Sequence, residues 1–126
     1  MAERIITSSM LRMNPDCIFV FGDNLLRVGC GGAAALRDEP NTYGFITKIN
    51  PDHLDSSYYR PAEYIPVYAS EIAQLAERIR NNPGYTFWIS RLGAGLANKY
   101  HIFEQVIEPT IKHLLGKYPN VEFLWD

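Results

Sequence analysis

The sequence predicts an α/β fold of three layers, α/β/α, with a mostly parallel central sheet. Short runs that are apolar at every position alternate with longer runs in which apolar residues recur every three or four positions. A strand that is apolar throughout is typical of a parallel sheet, because helices cover both of its faces. The chain has 126 residues, which is room for one hydrophobic core. We therefore expect a single domain over residues 1–126.

Five segments are predicted to form strands. The strongest is residues 17–21 (CIFVF), a β-branched and aromatic run that Gly22 ends. Residues 43–49 (YGFITKI) and 85–90 (YTFWIS) follow the same pattern. Residues 5–7 form a weaker first strand, and residues 121–125 (VEFLW) form the last one. Because helical stretches separate them, we expect these strands to run parallel.

Three segments are predicted to form helices. Residues 61–80 carry a stripe of apolar residues, and we place the helix start near Pro66 because proline fits only the first turn. Residues 101–115 form a second helix that Pro109 should kink or split. A shorter helix begins at Gly32, and the polar residues 50–60 form a long loop of the kind that is often functional. The stripe of the first helix consists of Ile65, Tyr68, Ile72, Leu75 and Ile79.

Composition and charge exclude several classes of function. The net charge of −2 and the isoelectric point near 5.9 argue against a surface that holds long nucleic acid, which needs a basic face. The longest apolar run, residues 17–21, is far too short to cross a membrane, and the N-terminus lacks a signal-peptide pattern. Cys17 and Cys30 are expected to be free thiols, and no metal or cofactor is predicted. We expect a cytoplasmic protein.

The first candidate site is the glycine-rich stretch of residues 22–32. It follows the strongest strand, contains four glycines and ends at the start of a helix. Glycines let the backbone approach a ligand closely and aim N–H groups at an anion. The alternative is that they only form a tight turn. Their spacing fits neither the dinucleotide fingerprint nor the P-loop.

A second glycine-rich stretch, residues 91–98 (RLGAGLAN), follows the strand at residues 85–90. Ligands of open α/β sheets bind beyond the carboxyl ends of the strands, so we expect the two stretches to enclose a diphosphate. The predicted ligand-binding residues are Gly22, Asn24, Gly29, Cys30, Gly31, Gly32, Ala33, Arg91, Gly93, Ala94, Gly95 and Leu96.

Two side chains at strand ends are candidates for catalysis. Asp23 would accept a hydrogen bond from a ribose hydroxyl or orient a water as general base, and Asn24 would bind the same ribose. Turn formation is the alternative for both. Lys48 would act as an amine nucleophile with a lowered pKa or as a counter-charge to phosphate, or it is a solvated strand end. Arg91 would pair with phosphate or form a structural salt bridge.

Three stretches resemble the macrodomain family of ADP-ribose binders. Residues 19–25 (FVFGDNL), 44–48 (GFITK) and 91–96 (RLGAGL) are similar to motifs of small bacterial and phage proteins of macrodomain type. The resemblance covers nearly the whole chain. It implies a macrodomain-like fold that binds ADP-ribose, free or attached to a macromolecule.

The last two stretches also resemble the terminal ADP-ribose protein glycohydrolase branch of that family. This resemblance implies that Lys48 is the nucleophile of an ADP-ribosyl hydrolase. Two features depart from these resemblances, the first from that branch and the second from the macrodomain family. Ala97 occupies the place of an assisting Asp, and no acid stands on residues 5–9 to hold the adenine amine.

The sequence thus predicts a protein that binds ADP-ribose or a related NAD-derived nucleotide, with hydrolysis as a further activity. A second hypothesis is a protein-interaction module without nucleotide turnover, in which Arg27, Tyr58 or Tyr59 would fill the crevice. Under the first hypothesis the two tyrosines are candidates for stacking on a base or a ribose. A third hypothesis is an enzyme that acts on another phosphorylated nucleoside.

Overall fold

The computed structural model describes residues 3–126, apart from the side chain of Ala33. Its centre is a sheet of four strands in the order β2-β1-β3-β4, and every pair of neighbours is parallel. The α/β class and the parallel sheet are confirmed. The strands are β1 (Cys17–Asn24), β2 (Thr42–Lys48), β3 (Thr86–Ile89) and β4 (Val121–Phe123).

Helices cover both faces of the sheet, which gives the expected three layers. Because side chains alternate along β1, Ile18 and Val20 join the larger core on one face, while Phe19 and Phe21 join a smaller core with Leu11 on the other. The helical segments are α1 (Ser8–Met13), a 3₁₀ helix (Gly32–Leu36), a 3₁₀ turn (Asp55–Ser57), α2 (Pro61–Arg80), a π-helical turn (Phe103–Ile107) and α3 (Ile111–Leu115).

The predicted first strand at residues 5–7 is wrong. These residues are irregular, and Thr7 is the N-cap of α1, where its side chain accepts a hydrogen bond from the Met10 N–H at 3.2 Å. The cap favours a helix directly after it, and the sequence did not predict that helix. The segment still lies beside the end of β4, because the Arg4 N–H donates to the Leu124 carbonyl at 2.8 Å.

The predicted start of α2 near Pro66 is also wrong. The helix begins at Pro61, and the Glu63 side chain accepts a hydrogen bond from the Arg60 N–H at 3.0 Å, which caps the first turn. Pro66 lies inside the helix on its exposed side, and Ile65 is 58% exposed rather than part of the buried stripe.

Two other predictions about helices are confirmed. A short helix, of the 3₁₀ type, begins at Gly32. The segment around Pro109 is split, since the π-helical turn ends at Ile107 and α3 begins at Ile111.

Candidate anion-binding pocket

One pocket of about 410 Å³ lies where β1, β2 and β3 end. The first glycine-rich loop (residues 25–31) and the second glycine-rich loop (residues 90–97) line it from two sides, as the sequence predicts. Among its lining residues are these predicted ones: Gly22, Asp23, Asn24, Gly29, Gly31, Gly32, Lys48, Arg91, Gly93, Gly95 and Leu96.

Two predicted residues stand apart from this lining. Cys30 is exposed on the first loop and does not line the pocket. Ala94 packs against the larger core instead. The side chain of Ala33 lies outside the described residues, while its backbone belongs to the 3₁₀ helix.

The two loops leave backbone N–H groups without protein partners. Among the described residues, the amides of Gly29, Gly31, Gly95 and Leu96 donate no hydrogen bond to a protein acceptor. Gly29 adopts φ = 99°, a conformation that side-chain-bearing residues rarely adopt. Unpaired amides beside a pocket are the groups that bind a phosphate or a carboxylate.

Asp23 is tied to the chain by ion pairs rather than free in the pocket. Its buried carboxylate accepts hydrogen bonds from both terminal nitrogens of Arg37, at 3.0 and 2.6 Å, and from the Asn24 N–H at 2.8 Å. The guanidinium of Arg27 lies 3.5 Å away. The hydrogen bonds to Asp23 raise the pKa of Arg37. These contacts favour a structural role over that of a general base.

The Asn24 side chain forms two hydrogen bonds to the backbone of the first glycine-rich loop. Its side-chain oxygen accepts the Leu26 N–H at 3.1 Å, and its side-chain nitrogen donates to the Val28 carbonyl at 2.8 Å. The first contact is an Asx turn, the alternative that the sequence left open. The residue lines the pocket all the same.

Lys48 ends β2 and lines the pocket on that side. Its ammonium group donates to the Asp52 carbonyl at 2.7 Å and lies 4.4 Å from the centre of the Tyr58 ring. Burial lowers the pKa of Lys48, and the Asp52 charge partly opposes that shift. A partly desolvated amine of this kind is a stronger nucleophile near neutral pH than an exposed lysine.

Arg91 and Glu3 lie on the β3 side of the pocket. The carboxylate of Glu3 accepts a hydrogen bond from the Arg91 N–H at 2.8 Å. The Arg91 guanidinium lies 4.7 Å from the centre of the Phe103 ring. Sequence reasoning missed Glu3, because nothing in residues 3–9 indicates that the chain start folds back onto the end of β3.

The crevice is open, and none of the three side chains that could have filled it lines the pocket. Arg27 donates to the Gly44 carbonyl at 3.1 Å. Tyr58 is buried beneath Lys48, and Tyr59 belongs to the larger core beside Tyr64. The expectation that these tyrosines stack on a ligand in the pocket is therefore wrong, because the loop at residues 50–60 folds them inward.

The family of the chain follows from its sequence. Residues 1–98 match the family model described as a family of unknown function, DUF7831. The chain belongs to DUF7831. The part that matches DUF7831 runs through β1, β2 and β3 and includes both glycine-rich loops. No curated protein and no solved structure matches the chain. Within residues 3–126, every helix is too short or too polar to cross a membrane.

Proposed function

We propose that the pocket binds ADP-ribose or a related NAD-derived nucleotide, with the diphosphate between the two glycine-rich loops. One observation carries the proposal. Unpaired backbone amides of both loops, at Gly29, Gly31, Gly95 and Leu96, border one pocket at the carboxyl ends of parallel strands. This is the place where open α/β sheets bind their ligands.

The charges around the pocket support an anionic ligand. The one acid at the end of β1, Asp23, is neutralised by Arg37 and does not repel phosphate. Lys48 on the β2 side and Arg91 on the β3 side supply two cations, and Glu3 supplies one negative charge on the β3 side. The volume of about 410 Å³ lies within the usual range for small-molecule sites, about 300–1,000 Å³.

Glu3 supports a nucleotide rather than a bare diphosphate. Its carboxylate is a hydrogen-bond acceptor on the β3 side of the pocket. Glu3 could therefore take the place of the acid that residues 5–9 lack. One of its oxygens accepts from Arg91, so the other can accept from an exocyclic amine of a base. Such an acceptor discriminates between bases that carry an amine and bases that carry a carbonyl.

Lys48 supports a second candidate activity, hydrolysis of an ADP-ribosyl ester. Its neutral amine would attack C1 of the ribose, forming a C–N bond while the C–O bond to the carboxyl group breaks and the carboxylate leaves. Water would then replace the amine and release ADP-ribose. The lowered pKa of Lys48 favours this step. Asp23 is held by Arg37, and residue 97 is an alanine, so neither position offers a general base for this reaction. We therefore propose nucleotide binding as the main function and hydrolysis as the second candidate.

Calorimetry with ADP-ribose tests the binding proposal. We expect one ligand per chain, with ADP and AMP binding more weakly, and ligand-induced NMR shifts at the amides of Gly31 and Gly95. If ADP-ribose, ADP and NAD all produce neither heat nor shifts, the proposal is wrong. An ADP-ribosylated glutamate peptide then tests hydrolysis. Release of ADP-ribose should be lost in Lys48→Ala and kept in Lys112→Ala, whose lysine lies on α3 outside the pocket.

A further inference from the structure

Arg37 makes four hydrogen bonds beneath the first glycine-rich loop. Its Nε donates to the Gly29 carbonyl at 3.0 Å, and one terminal nitrogen donates to the Val28 carbonyl at 3.2 Å. The same guanidinium forms a two-point pair with the Asp23 carboxylate. One side chain thus holds two consecutive carbonyls of the loop to the end of β1.

The direction of those carbonyls sets the direction of the next amides. In a trans peptide the C=O and the following N–H lie in one plane and point opposite ways, and the described chain has no cis bond. Because the carbonyls of Val28 and Gly29 point at Arg37, the N–H groups of Gly29 and Cys30 point away from it. Neither amide has a protein acceptor among the described residues, and Gly29 lines the pocket.

The anchor of this arrangement is built into the sheet. The Asp23 side chain is only 2% exposed, and Gly44 on the neighbouring strand leaves room for it, since a Cβ there would collide with Asp23 Oδ2. The pair with Asp23 neutralises the Arg37 charge. Arg37 therefore acts by orienting the backbone and not by attracting an anion itself.

We propose that Arg37 is a positioning residue that aims the Gly29 amide at a phosphate of the ligand. The inference rests on the proposed function and deepens it. Cys30, whose amide also points away from Arg37, is exposed on the loop and does not line the pocket.

The test compares Arg37→Gln, Arg37→Lys and Arg12→Gln for binding of ADP-ribose and of inorganic pyrophosphate. Arg12 is the matched control, because it is an exposed arginine that pairs with Glu39 and neither residue lines the pocket. We expect Arg37→Gln to weaken both ligands at least about tenfold, because the Gly29 amide is no longer held toward the phosphate and its hydrogen bond to that charged group is lost. Arg37→Lys keeps the charge but lacks the planar guanidinium that binds both oxygens of Asp23. Its affinity should therefore lie between that of Arg37→Gln and that of the wild type. Arg12→Gln should bind as the wild type does.

NMR separates positioning from a general loss of structure. In Arg37→Lys the ligand-induced shifts should fall at Gly29 and persist at Gly95 and Leu96. The double variant Asp23→Asn/Arg37→Gln removes both charges, so it leaves no buried charge unpaired if Arg37→Gln alone fails to fold. It should lose affinity in the same way.

Each outcome decides a separate claim. Wild-type affinity in Arg37→Lys, or equal loss of shifts in both loops, overturns the role of Arg37. If the wild type binds pyrophosphate but not ADP-ribose, the proposed function fails, and Arg37 is judged on pyrophosphate alone. If it binds neither, both proposals fall.

Discussion

Leu96 of the second glycine-rich loop packs over Gly31 of the first, so that a Cβ atom at Gly31 would lie 3.2 Å from Leu96 Cδ1. Both residues line the pocket, so the two loops meet at its edge. It couples two loops that are separated by two strands and the longest helix in the chain order. The width of the pocket therefore depends on the absence of a side chain at residue 31.

Gly31→Ala should narrow the pocket and weaken binding of ADP-ribose several-fold. Gly31 has φ = −77° and ψ = 141°, which alanine adopts freely, so the backbone is not strained. The new methyl group must displace Leu96, which is 59% exposed and able to move into the pocket. Calorimetry measures the affinity. The control is Gly84→Ala, where a Cβ meets nothing within 4 Å, and unchanged affinity in Gly31→Ala contradicts the prediction.

Gly93→Ala should lower the free energy of unfolding by about 1–3 kcal/mol, whereas Gly95→Ala should leave it nearly unchanged. At Gly93, φ is 79° and a Cβ would lie 2.6 Å from Ile107 Cδ1 in the core. At Gly95 a Cβ meets nothing within 4 Å. Urea denaturation of the two variants measures the difference, and equal stability would show that the second loop relaxes at no cost.

Lys48 should make stability rise with pH in the alkaline range. Burial lowers its pKa from the ordinary value of 10.5. Between the lowered pKa and 10.5 the unfolded chain binds more protons than the folded one, so the free energy of unfolding rises with pH there. Below that window the cost of burying the charge is constant, and above it the amine is neutral in both states.

The measurement is urea denaturation of the wild type and Lys48→Met from neutral pH to above 10.5. The stability of the wild type minus that of Lys48→Met should rise through the window. Taking this difference cancels the titration of the tyrosines, which both proteins share. A flat or falling difference curve contradicts the prediction.

Tyr64→Phe should destabilise the fold by about 1–2 kcal/mol, because it removes a buried hydrogen bond. The Tyr64 hydroxyl donates to the Ile46 carbonyl at 2.6 Å, while Glu71 accepts the Ile46 N–H at 2.6 Å. Together they satisfy both backbone groups of Ile46 on β2, which is the outermost strand on that side of the described sheet. Thermal and urea unfolding check the effect. Tyr118→Phe is the control, because that hydroxyl accepts from Arg80 at the surface, and it should change stability much less.

Local pattern was enough to predict most of the fold. The run CIFVF favours a strand buried on both faces, because it has no polar side to expose and is rich in β-branched and aromatic residues. The short helix α1 was missed because its six residues, SSMLRM, bury a single side chain, Leu11, and show no apolar period. The preference of proline for the first turn of a helix predicted a start of α2 near Pro66. The helix begins earlier, at Pro61, because Glu63 caps a first turn there.

For the pocket, the sequence by itself determined where the glycine-rich loops lie and that both follow buried parallel strands. These features depend on residue type and on order along the chain. Only the tertiary structure decided what Asp23 does, because its partner Arg37 is fourteen residues away and reaches it through a folded loop. The same holds for Glu3, whose partner Arg91 lies 88 residues along the chain. Contacts between distant residues depend on the packing of the whole chain, and no local pattern records them.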